Sequence, residues 1–302
     1  MRLPRITLRQ RQRLLHVVFY LLLPFALFAQ STDTSPFPKT ETYALQAKTN
    51  GQAYRIFVSL PESYRENDTT KYPVLYLLDG NPFFLLLQSM QHFFATGEEL
   101  QEMIVVGIGY PVKGVLESMP LRTRDYTPTA DTGFDHMIDQ DLKLPIPTTS
   151  GGAAVFVNTL KQEIFPLVEK RYRTAGARGF AGHSFGALFG AYVLFHEPQL
   201  FSNYLLSSVS IPWDHNEMLQ EEQQYFNKGN RNLKAHVFMS VGSKEMADMP
   251  TLMRQLAASM RAHQYQGLQL HEQVLENETH TSAVTTAFNQ GLRVLYGKVK
   301  TD

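Results

Sequence analysis

The sequence predicts a doubly wound α/β domain, a mostly parallel sheet with helices on both faces. Short apolar runs, which are typical of strands buried on both faces, alternate along the chain with longer stretches of helical character. In addition, a Gly-x-Ser-x-Gly pentapeptide at 182–186 stands between such a run and an apolar helix. Repeated alternation of this kind favours parallel strands joined by crossover helices.

The predicted elements begin with two half-exposed strands at 41–47 and 54–60. We expect them to be antiparallel because residues 53–58 partly alternate. Buried strands are predicted at 73–78, 103–108, 178–181, 204–208 and 236–241, followed by a last strand at 268–275. The helices are predicted at 83–94, 154–171, 186–196, 216–226 and 251–263, with a final helix near 281–296.

One segment, 109–151, interrupts this alternation. It holds many Pro, Thr, Asp and Gly residues and has no clear periodicity. Irregular segments of this length inside a domain are usually functional or disordered. We therefore expect 109–151 to form a long loop or cap over the functional site.

Composition limits the classes of function. A chain of 302 residues with 43% hydrophobic content can bury one large core, which predicts one catalytic domain over 42–302. Its 28 basic and 28 acidic side chains cancel, so no basic field favours nucleic acid, and a small-molecule substrate is expected. The absence of cysteine excludes disulfides, thiolate metal sites and a cysteine nucleophile.

The N-terminus has the pattern of a signal peptide. Arginines at 2, 5, 9, 11 and 13 precede an apolar run at 14–28, which ends in small residues and a Ser/Thr/Pro-rich segment. The run is shorter than the ~20 residues of a spanning helix and contains Pro24, so an uncleaved anchor is the weaker alternative. We expect cleavage after Ala29, a flexible segment at 30–41, and a periplasmic or secreted protein without a stable membrane span.

The pentapeptide predicts a nucleophile elbow. Its flanking glycines, Gly182 and Gly186, lack a Cβ and allow a sharp strand-to-helix turn on which the hydroxyl of Ser184 stands clear. A serine hydroxyl is a weak nucleophile, so it needs a base within hydrogen-bond reach and a group that orients the base.

The expected chain order in this kind of site is serine, acid, histidine. His280 is the predicted base, because it lies in a polar loop between the last strand and the final helix. The predicted acid is Glu245, just after the strand at 236–241, where open α/β sheets carry their sites. Asp248, three residues later, and a serine–histidine dyad without an essential acid remain open alternatives.

The oxyanion that forms during attack needs preorganised donors, normally backbone N–H groups. Phe185 follows the serine and supplies one, and the turn after the strand at 73–78 supplies the other from Gly80 or Asn81. An ordinary turn explains the same residues. Trp213, the only tryptophan, follows a strand end and is expected either to wall the substrate pocket or to anchor the core.

Cofactor motifs are missing from the sequence. It has no His-Glu-x-x-His zinc site and no phosphate-binding Gly-Lys-Ser/Thr loop, and Gly107-Ile108-Gly109 lacks the third glycine of a dinucleotide fingerprint. We therefore expect neither a metal nor a cofactor.

Four motifs together resemble the putative esterase family of α/β-hydrolases. They are YPVLYLLDGN at 72–81, RTRDYTP at 122–128, GHSFG at 182–186 and ETH at 278–280. The resemblance spans about 42–295, and RTRDYTP is its most family-specific motif. Well-known members are siderophore esterases that open trilactones of the enterobactin and salmochelin type, and relatives act on feruloylated or acetylated sugars.

The resemblance implies the α/β-hydrolase fold, with Ser184 as nucleophile and His280 as base. It also implies that Arg122 contacts an acidic or catecholate substrate, although a salt-bridged loop of Arg122, Arg124 and Asp125 is the alternative. Some periplasmic siderophore esterases use a dyad, whereas Glu245 indicates a fuller triad here.

The function expected is hydrolysis of a carboxylic ester through an acyl-enzyme intermediate, on a siderophore or a related ester. A feruloyl or acetyl-sugar esterase and a non-catalytic envelope binding protein on the same fold are the alternatives. The sequence leaves the natural ester and the oligomeric state open.

Overall fold

A computed structural model describes residues 39–65, 67–246 and 248–298 of the chain. The predicted signal peptide at 1–29 and most of the segment predicted at 30–41 lie outside the described residues. The strands are β1 Thr40–Gln46, β2 Ala53–Ser59, β3 Tyr72–Leu77, β4 Ile104–Gly109, β5 Thr174–His183, β6 Asn203–Ser207, β7 Asn232–Gly242 and β8 Gln266–Leu275.

These strands form one sheet in the order β1-β2-β4-β3-β5-β6-β7-β8. β2 runs antiparallel to both β1 and β4, as the partial alternation of the first two strands predicts. Every later pairing is parallel. β1 alternates between exposed and half-buried residues, whereas β4 is buried throughout, because helices cover the parallel strands on both faces. The predicted mostly parallel α/β sheet is confirmed.

The helices are α1 Gly80–Thr96, α2 Met119–Tyr126, α3 Thr132–Leu142, α4 Ala153–Thr159, α5 Phe165–Arg171, α6 Phe185–His196, α7 Trp213–Asn227, α8 Met249–Ala262 and α9 Ala283–Tyr296. α1 and α9 enclose one buried cluster with the sheet, represented by Phe84 and Phe288. α4 to α8 enclose a larger cluster on the opposite face, represented by Phe156, Phe189 and Met253. The core therefore has two layers divided by the sheet.

Segment 109–151 contains more regular structure than its sequence indicates. A 3-10 turn at Leu116–Ser118, α2 and α3 all fall within it. α3 buries none of its residues, although Phe134, Met137, Ile138 and Leu142 recur in its sequence at helical spacing. Its start is fixed locally, since the carboxylate of Asp131 accepts a hydrogen bond from the N–H of Phe134 at 2.9 Å.

Three other helices depart from the predicted bounds, and one of them is α1, which starts at Gly80, three residues before the predicted 83. A π-helical segment, Leu160–Ile164, divides the single helix predicted at 154–171 into α4 and α5. α7 starts three residues before the predicted 216, and its first turn is left-handed, with φ of 43° at Asp214, 57° at His215 and 64° at Asn216. Across 39–65, 67–246 and 248–298, no helix combines the length and hydropathy that crossing a membrane requires.

Candidate active site

The carboxyl edge of the parallel strands gathers the polar residues of the site. Ser184 follows β5, Ser208 follows β6, and Glu245 comes three residues after the end of β7. Asp79 comes two residues after β3. Because parallel strands end at the same edge of a sheet, residues distant in the chain meet there.

The turn from β5 into α6 has the geometry of a nucleophile elbow. Ser184 adopts φ 59° and ψ −123°, a strained conformation for a residue with a side chain, of the kind that costs about 1–3 kcal/mol. Its N–H donates to the carbonyl of Ser207 at 2.9 Å. A Cβ on Gly182 would lie 2.5 Å from the carbonyl carbon of Gly186, so glycine at 182 is required by the close approach of the backbone.

Glu245 and His280 form an acid–base pair beside this serine. Nδ1 of His280 lies 2.7 Å from Oε2 of Glu245, whose side chain is only 1% exposed, against 46% for His280. An ionised carboxylate can only accept, so Nδ1 is the donor. Nε2 of a neutral His280 ring is then free to accept a proton.

The second oxygen of Glu245 is also held. Oε1 accepts a hydrogen bond from the hydroxyl of Ser208 at 2.6 Å and another from the N–H of Gly242 at 2.7 Å. Burial opposes ionisation, but the hydrogen bonds from His280, Ser208 and Gly242 outweigh it and hold the pKa of Glu245 below its ordinary value. Glu245 therefore remains a carboxylate at neutral pH.

The predicted acid is the one that contacts the histidine. Glu245 bonds His280, rather than the neighbouring Lys244 or Arg254 that a solvated loop carboxylate would take. Asp248 instead directly precedes α8, where its carbonyl accepts the N–H of Leu252 at 2.8 Å.

The hydroxyl of Ser184 lies 3.3 Å from that of Ser210. Ser184, Ser210 and His280 line one cavity of about 530 Å³, together with Glu245. Ser184 and Ser210 are thus hydrogen-bonded to each other at the cavity that His280 also lines, and such contacts often rearrange when a substrate binds.

The candidate oxyanion donors begin two helices at the same edge. Phe185 is the first residue of α6, and Gly80 and Asn81 begin α1. The Asn81 side chain is occupied elsewhere, because it accepts the N–H of Tyr110 at 2.7 Å and donates to the Tyr110 carbonyl at 3.0 Å. The two bonds to Tyr110 hold the Asn81 amide toward β4, so the backbone N–H groups of Gly80 and Asn81 are the better candidates for an oxyanion.

Arg122 lines the cavity, but a buried partner matches its charge. Its guanidinium makes a two-pronged ion pair with Asp79 at 2.8 and 2.9 Å, and the two side chains are 11% and 5% exposed. Its cationic carbon also lies 5.3 Å from the centre of the Phe185 ring. Arg122 thus joins the start of α1 to α2.

The neighbouring Arg124 pairs with Asp125 instead, at 2.8 and 3.0 Å. Asp125 is also bonded by the hydroxyls of Tyr54 and Tyr110. The alternative of an ion-paired, self-supporting segment therefore describes Arg124 and Asp125 well. Arg122 combines an ion pair with a place in the cavity wall.

Trp213 both walls the cavity and is buried in the core. Its ring centre lies 5.1 Å from that of Phe134 and 5.2 Å from that of Phe185, edge to face in both cases. Its N–H donates to the hydroxyl of Thr129 at 3.1 Å. Trp213 therefore belongs to the cavity wall and to the core at once, and its contact with a substrate stays a prediction.

The sequence analysis did not single out His183. Its ring is 6% exposed, its Nδ1 lies 3.0 Å from the Ser207 hydroxyl, and its centre is 4.6 Å from that of His280. Burial first, and then the positive charges of His280 and Arg122, lower the pKa of His183 to about 3. In the sequence, the position of His183 inside the pentapeptide was the feature that could have indicated a place at the site. Ser208 and Ser210 were also not predicted as site residues, although Ser208 ends the strand predicted at 204–208 and Ser210 comes two residues later.

Within the part of the chain that the structure describes, no cluster of three or more His, Asp or Glu side chains is arranged to hold a metal ion. The expectation that the chemistry needs neither metal nor cofactor stays a prediction.

Fold and site together define the class of the protein as an α/β-hydrolase, since in that fold a serine on a strained strand-to-helix turn stands at the top of the sheet. The chain belongs to the putative esterase family, whose model matches residues 47–290. It is thus a serine esterase, that is, a carboxylic ester hydrolase.

Among characterised proteins, the chain is similar to the siderophore triacetylfusarinine C esterase of Aspergillus fumigatus. The two are 27% identical over 295 residues, which cover 86% of this chain and 94% of that protein. The ferri-bacillibactin esterase BesA of Bacillus subtilis is also 27% identical, over 85% of this chain and 89% of its own. Among solved structures, the BES protein of Bacillus cereus is 28% identical, with a TM-score of 0.75 and coverage of 87% and 98%.

Proposed function

We propose that the chain hydrolyses a carboxylic ester through an acyl-enzyme intermediate on Ser184, with His280 as general base and Glu245 as the group that orients it. The observation that carries the proposal is the 2.7 Å hydrogen bond between Glu245 and His280, at the cavity that Ser184 also lines. The strained backbone of Ser184 supports the same role, because strain of this kind is characteristic of a nucleophile elbow.

In the first half of the reaction, Oγ of Ser184 attacks the ester carbonyl carbon while its proton moves to Nε2 of His280. The carbonyl electron pair moves onto the oxygen, and the N–H groups of Phe185 and of Gly80 or Asn81 stabilise this oxyanion. As the tetrahedral species collapses, the bond to the alcohol oxygen breaks. His280 then gives its proton to the departing alcohol.

In the second half, His280 takes a proton from water, whose oxygen attacks the acyl carbon on Ser184. Collapse of this intermediate releases the carboxylic acid, and the proton returns to the oxygen of Ser184. Glu245 keeps His280 in the reactive tautomer and stabilises its cationic form in both halves.

We infer that the natural ester is a siderophore. The support for this comes from similarity to proteins named as esterases of triacetylfusarinine C and ferri-bacillibactin. The aromatic wall formed by Phe134, Phe185 and Trp213 suits an acyl or alcohol group with substantial apolar surface.

We also propose that the chain is exported, with a signal peptide at 1–29 that is removed after Ala29, and with a catalytic domain that includes β1 from Thr40, two residues before the predicted start at 42. N-terminal sequencing of the protein recovered outside the cytoplasm should begin at Gln30. Recovery of the intact N-terminus there would contradict the cleavage.

The esterase proposal is tested with a Ser184→Ala variant. Hydrolysis of p-nitrophenyl acetate should fall by about 10³-fold or more, as removal of such nucleophiles does. A fluorophosphonate should label the parent protein, and peptide mapping should find the adduct on Ser184. An adduct on Ser210, whose hydroxyl lies only 3.3 Å away, would contradict the assignment. The complete absence of labelling and hydrolysis would favour a non-catalytic binding protein.

A further inference from the structure

The charges around the cavity are unbalanced. Its charged lining residues are Arg122, Asp131, Asp214, Glu245 and His280. The positive charge of Arg122 is matched by its buried ion pair with Asp79, and Glu245 is occupied by His280. Among the residues that the structure describes, no comparable partner accompanies the two remaining carboxylates, Asp131 and Asp214.

The carboxylates of Asp131 and Asp214 lie at the cavity without a cationic side chain beside them in the described part of the chain. Asp131 accepts a backbone N–H from Phe134, which is a neutral donor. Across the described ranges of the chain, neither Asp131 nor Asp214 takes part in an ion pair. Glu217, three residues after Asp214 in α7, experiences the same negative field: burial first, and then the charges of Asp214 and Glu221, raise its pKa although Thr129 hydrogen-bonds it.

The same part of the cavity carries an aromatic wall. Phe134, Phe185 and Trp213 contact one another edge to face, with ring centres 5.1 to 5.5 Å apart. Arg122 already lies over the Phe185 ring, so Phe134 and Trp213 are the rings left to attract an organic cation through their quadrupole, and a nearby carboxylate strengthens that attraction. Neither group attracts an anion.

We propose that this cavity selects its ester by charge, taking uncharged or cationic substrates and disfavouring anionic ones. The inference rests on the proposed esterase function of Ser184 and names the charge class of its substrate. It has a consequence for siderophores. A ferric tris-catecholate is a polyanion, because the phenolate charges outnumber those of the ferric ion, so it is disfavoured relative to an iron-free or uncharged ester.

The test uses three p-nitrophenyl esters with acyl chains of equal length. One chain ends in a trimethylammonium group, one in a tert-butyl group, and one in a tert-butyl group with a carboxylate in place of one methyl. We expect kcat/KM to be highest for the cationic ester and lowest for the anionic one. The ratio between these two should be on the order of tenfold or more at low salt, and it should shrink as salt screens the carboxylates.

Asp214→Asn is the informative variant. The backbone of Asp214 is left-handed, a conformation that asparagine tolerates well, so the substitution removes the charge while keeping the turn. The substitution should reduce the ratio of kcat/KM for the cationic ester to kcat/KM for the anionic ester several-fold, mainly by speeding hydrolysis of the anionic ester. Glu98→Gln is the matched control: this exposed carboxylate lies beyond the far end of α1, whose 17 residues span about 25 Å.

The outcomes separate the two proposals. Hydrolysis of the tert-butyl ester that Ser184→Ala abolishes supports the esterase function by itself. Equal kcat/KM values for all three esters, or fastest hydrolysis of the anionic one, would then overturn the charge selection alone. A ratio that Glu98→Gln lowers as much as Asp214→Asn would overturn the role of Asp214. If the parent hydrolyses none of the three, the esterase function fails, and the charge selection fails with it.

Discussion

The carboxylate of Glu245 holds the ring of His280 by a 2.7 Å hydrogen bond, although the two residues are 35 positions apart in the chain. Their loops are joined by the backbone as well, since the N–H of Lys244 donates to the carbonyl of Glu278 at 2.9 Å. A Cβ on Gly242 would lie 2.3 Å from that same carbonyl oxygen, so the loops can approach this closely only with glycine there. The acid and the base are therefore positioned by one rigid contact between two loops.

Replacement of Glu245 by glutamine should lower kcat by about 10³- to 10⁴-fold with little change in KM. The amide has nearly the same shape, but it cannot hold the His280 tautomer as a carboxylate does or stabilise the imidazolium. Steady-state kinetics with p-nitrophenyl acetate measures both constants. Asp248→Asn is the matched control and should retain activity. A Glu245→Gln enzyme within a few-fold of the parent would instead favour the serine–histidine dyad.

Because the backbone of Ser184 is strained, we expect a substitution that relieves the strain to raise stability although it abolishes activity. Ser184→Gly and Ser184→Ala both remove the nucleophile, but only glycine relaxes at φ 59° and ψ −123°. Glycine relieves about 1–3 kcal/mol of backbone strain. Its greater conformational freedom in the unfolded chain cancels roughly 0.5–1 kcal/mol of that gain. Urea denaturation should therefore find the glycine variant about 1 kcal/mol more stable than the alanine variant. A less stable glycine variant would contradict the strained geometry.

The Arg122–Asp79 pair should behave as a coupled unit. Arg122→Met leaves the Asp79 carboxylate buried without its cation, which typically costs about 3–5 kcal/mol. Asp79→Asn keeps the left-handed backbone of residue 79 but leaves the guanidinium unpaired. The double variant should be less destabilised than the sum of the two, with a coupling of about 2 kcal/mol in a urea-unfolding cycle. Strictly additive effects would show that the pair contributes little.

Much of the fold could be predicted from the sequence, because local patterns determine it. Strands such as β4 are continuously apolar where both faces are covered, and the elbow at Ser184 follows from glycines that a close backbone approach requires. His280 and Glu245 could be selected because each follows a strand at the carboxyl edge. α3 was not predicted, because its short apolar period of Phe134, Met137, Ile138 and Leu142 is surrounded by segments rich in Pro, Thr and Gly.

The sequence could not predict which side chains pair with each other at the site. Asp79 and Arg122 are 43 positions apart, and Ser208 and Glu245 are 37 apart, so no spacing rule connects them. RTRDYTP indicated an arginine near the site, but only the structure gives its buried partner. The sequence could not predict the uncompensated charges of Asp131 and Asp214 either. They are recognised only when the Arg122 charge is seen to be matched by Asp79.

His183 predicts a specific loss of stability in acid. Its pKa is about 3 in the folded protein, against an ordinary 6.5, because burial and neighbouring positive charges oppose its protonation. Below about pH 6.5 the unfolded chain binds a proton that the folded protein does not, so the free energy of unfolding falls as the pH falls. One proton corresponds to about 1.4 kcal/mol per pH unit.

Urea unfolding of the parent and of His183→Asn between about pH 4 and 6 measures this contribution. The parent should lose stability more steeply than the variant, by close to 1.4 kcal/mol per pH unit, because asparagine does not titrate. The acidic groups are common to both proteins, so their contributions cancel in the difference. Above pH 7 both His183 states are neutral, and the difference between the two curves should become constant. If the stability curves of the parent and the variant run parallel through the acid range, His183 takes up its proton in the folded protein. The His183 ring beside His280 would then carry a charge during acid inactivation.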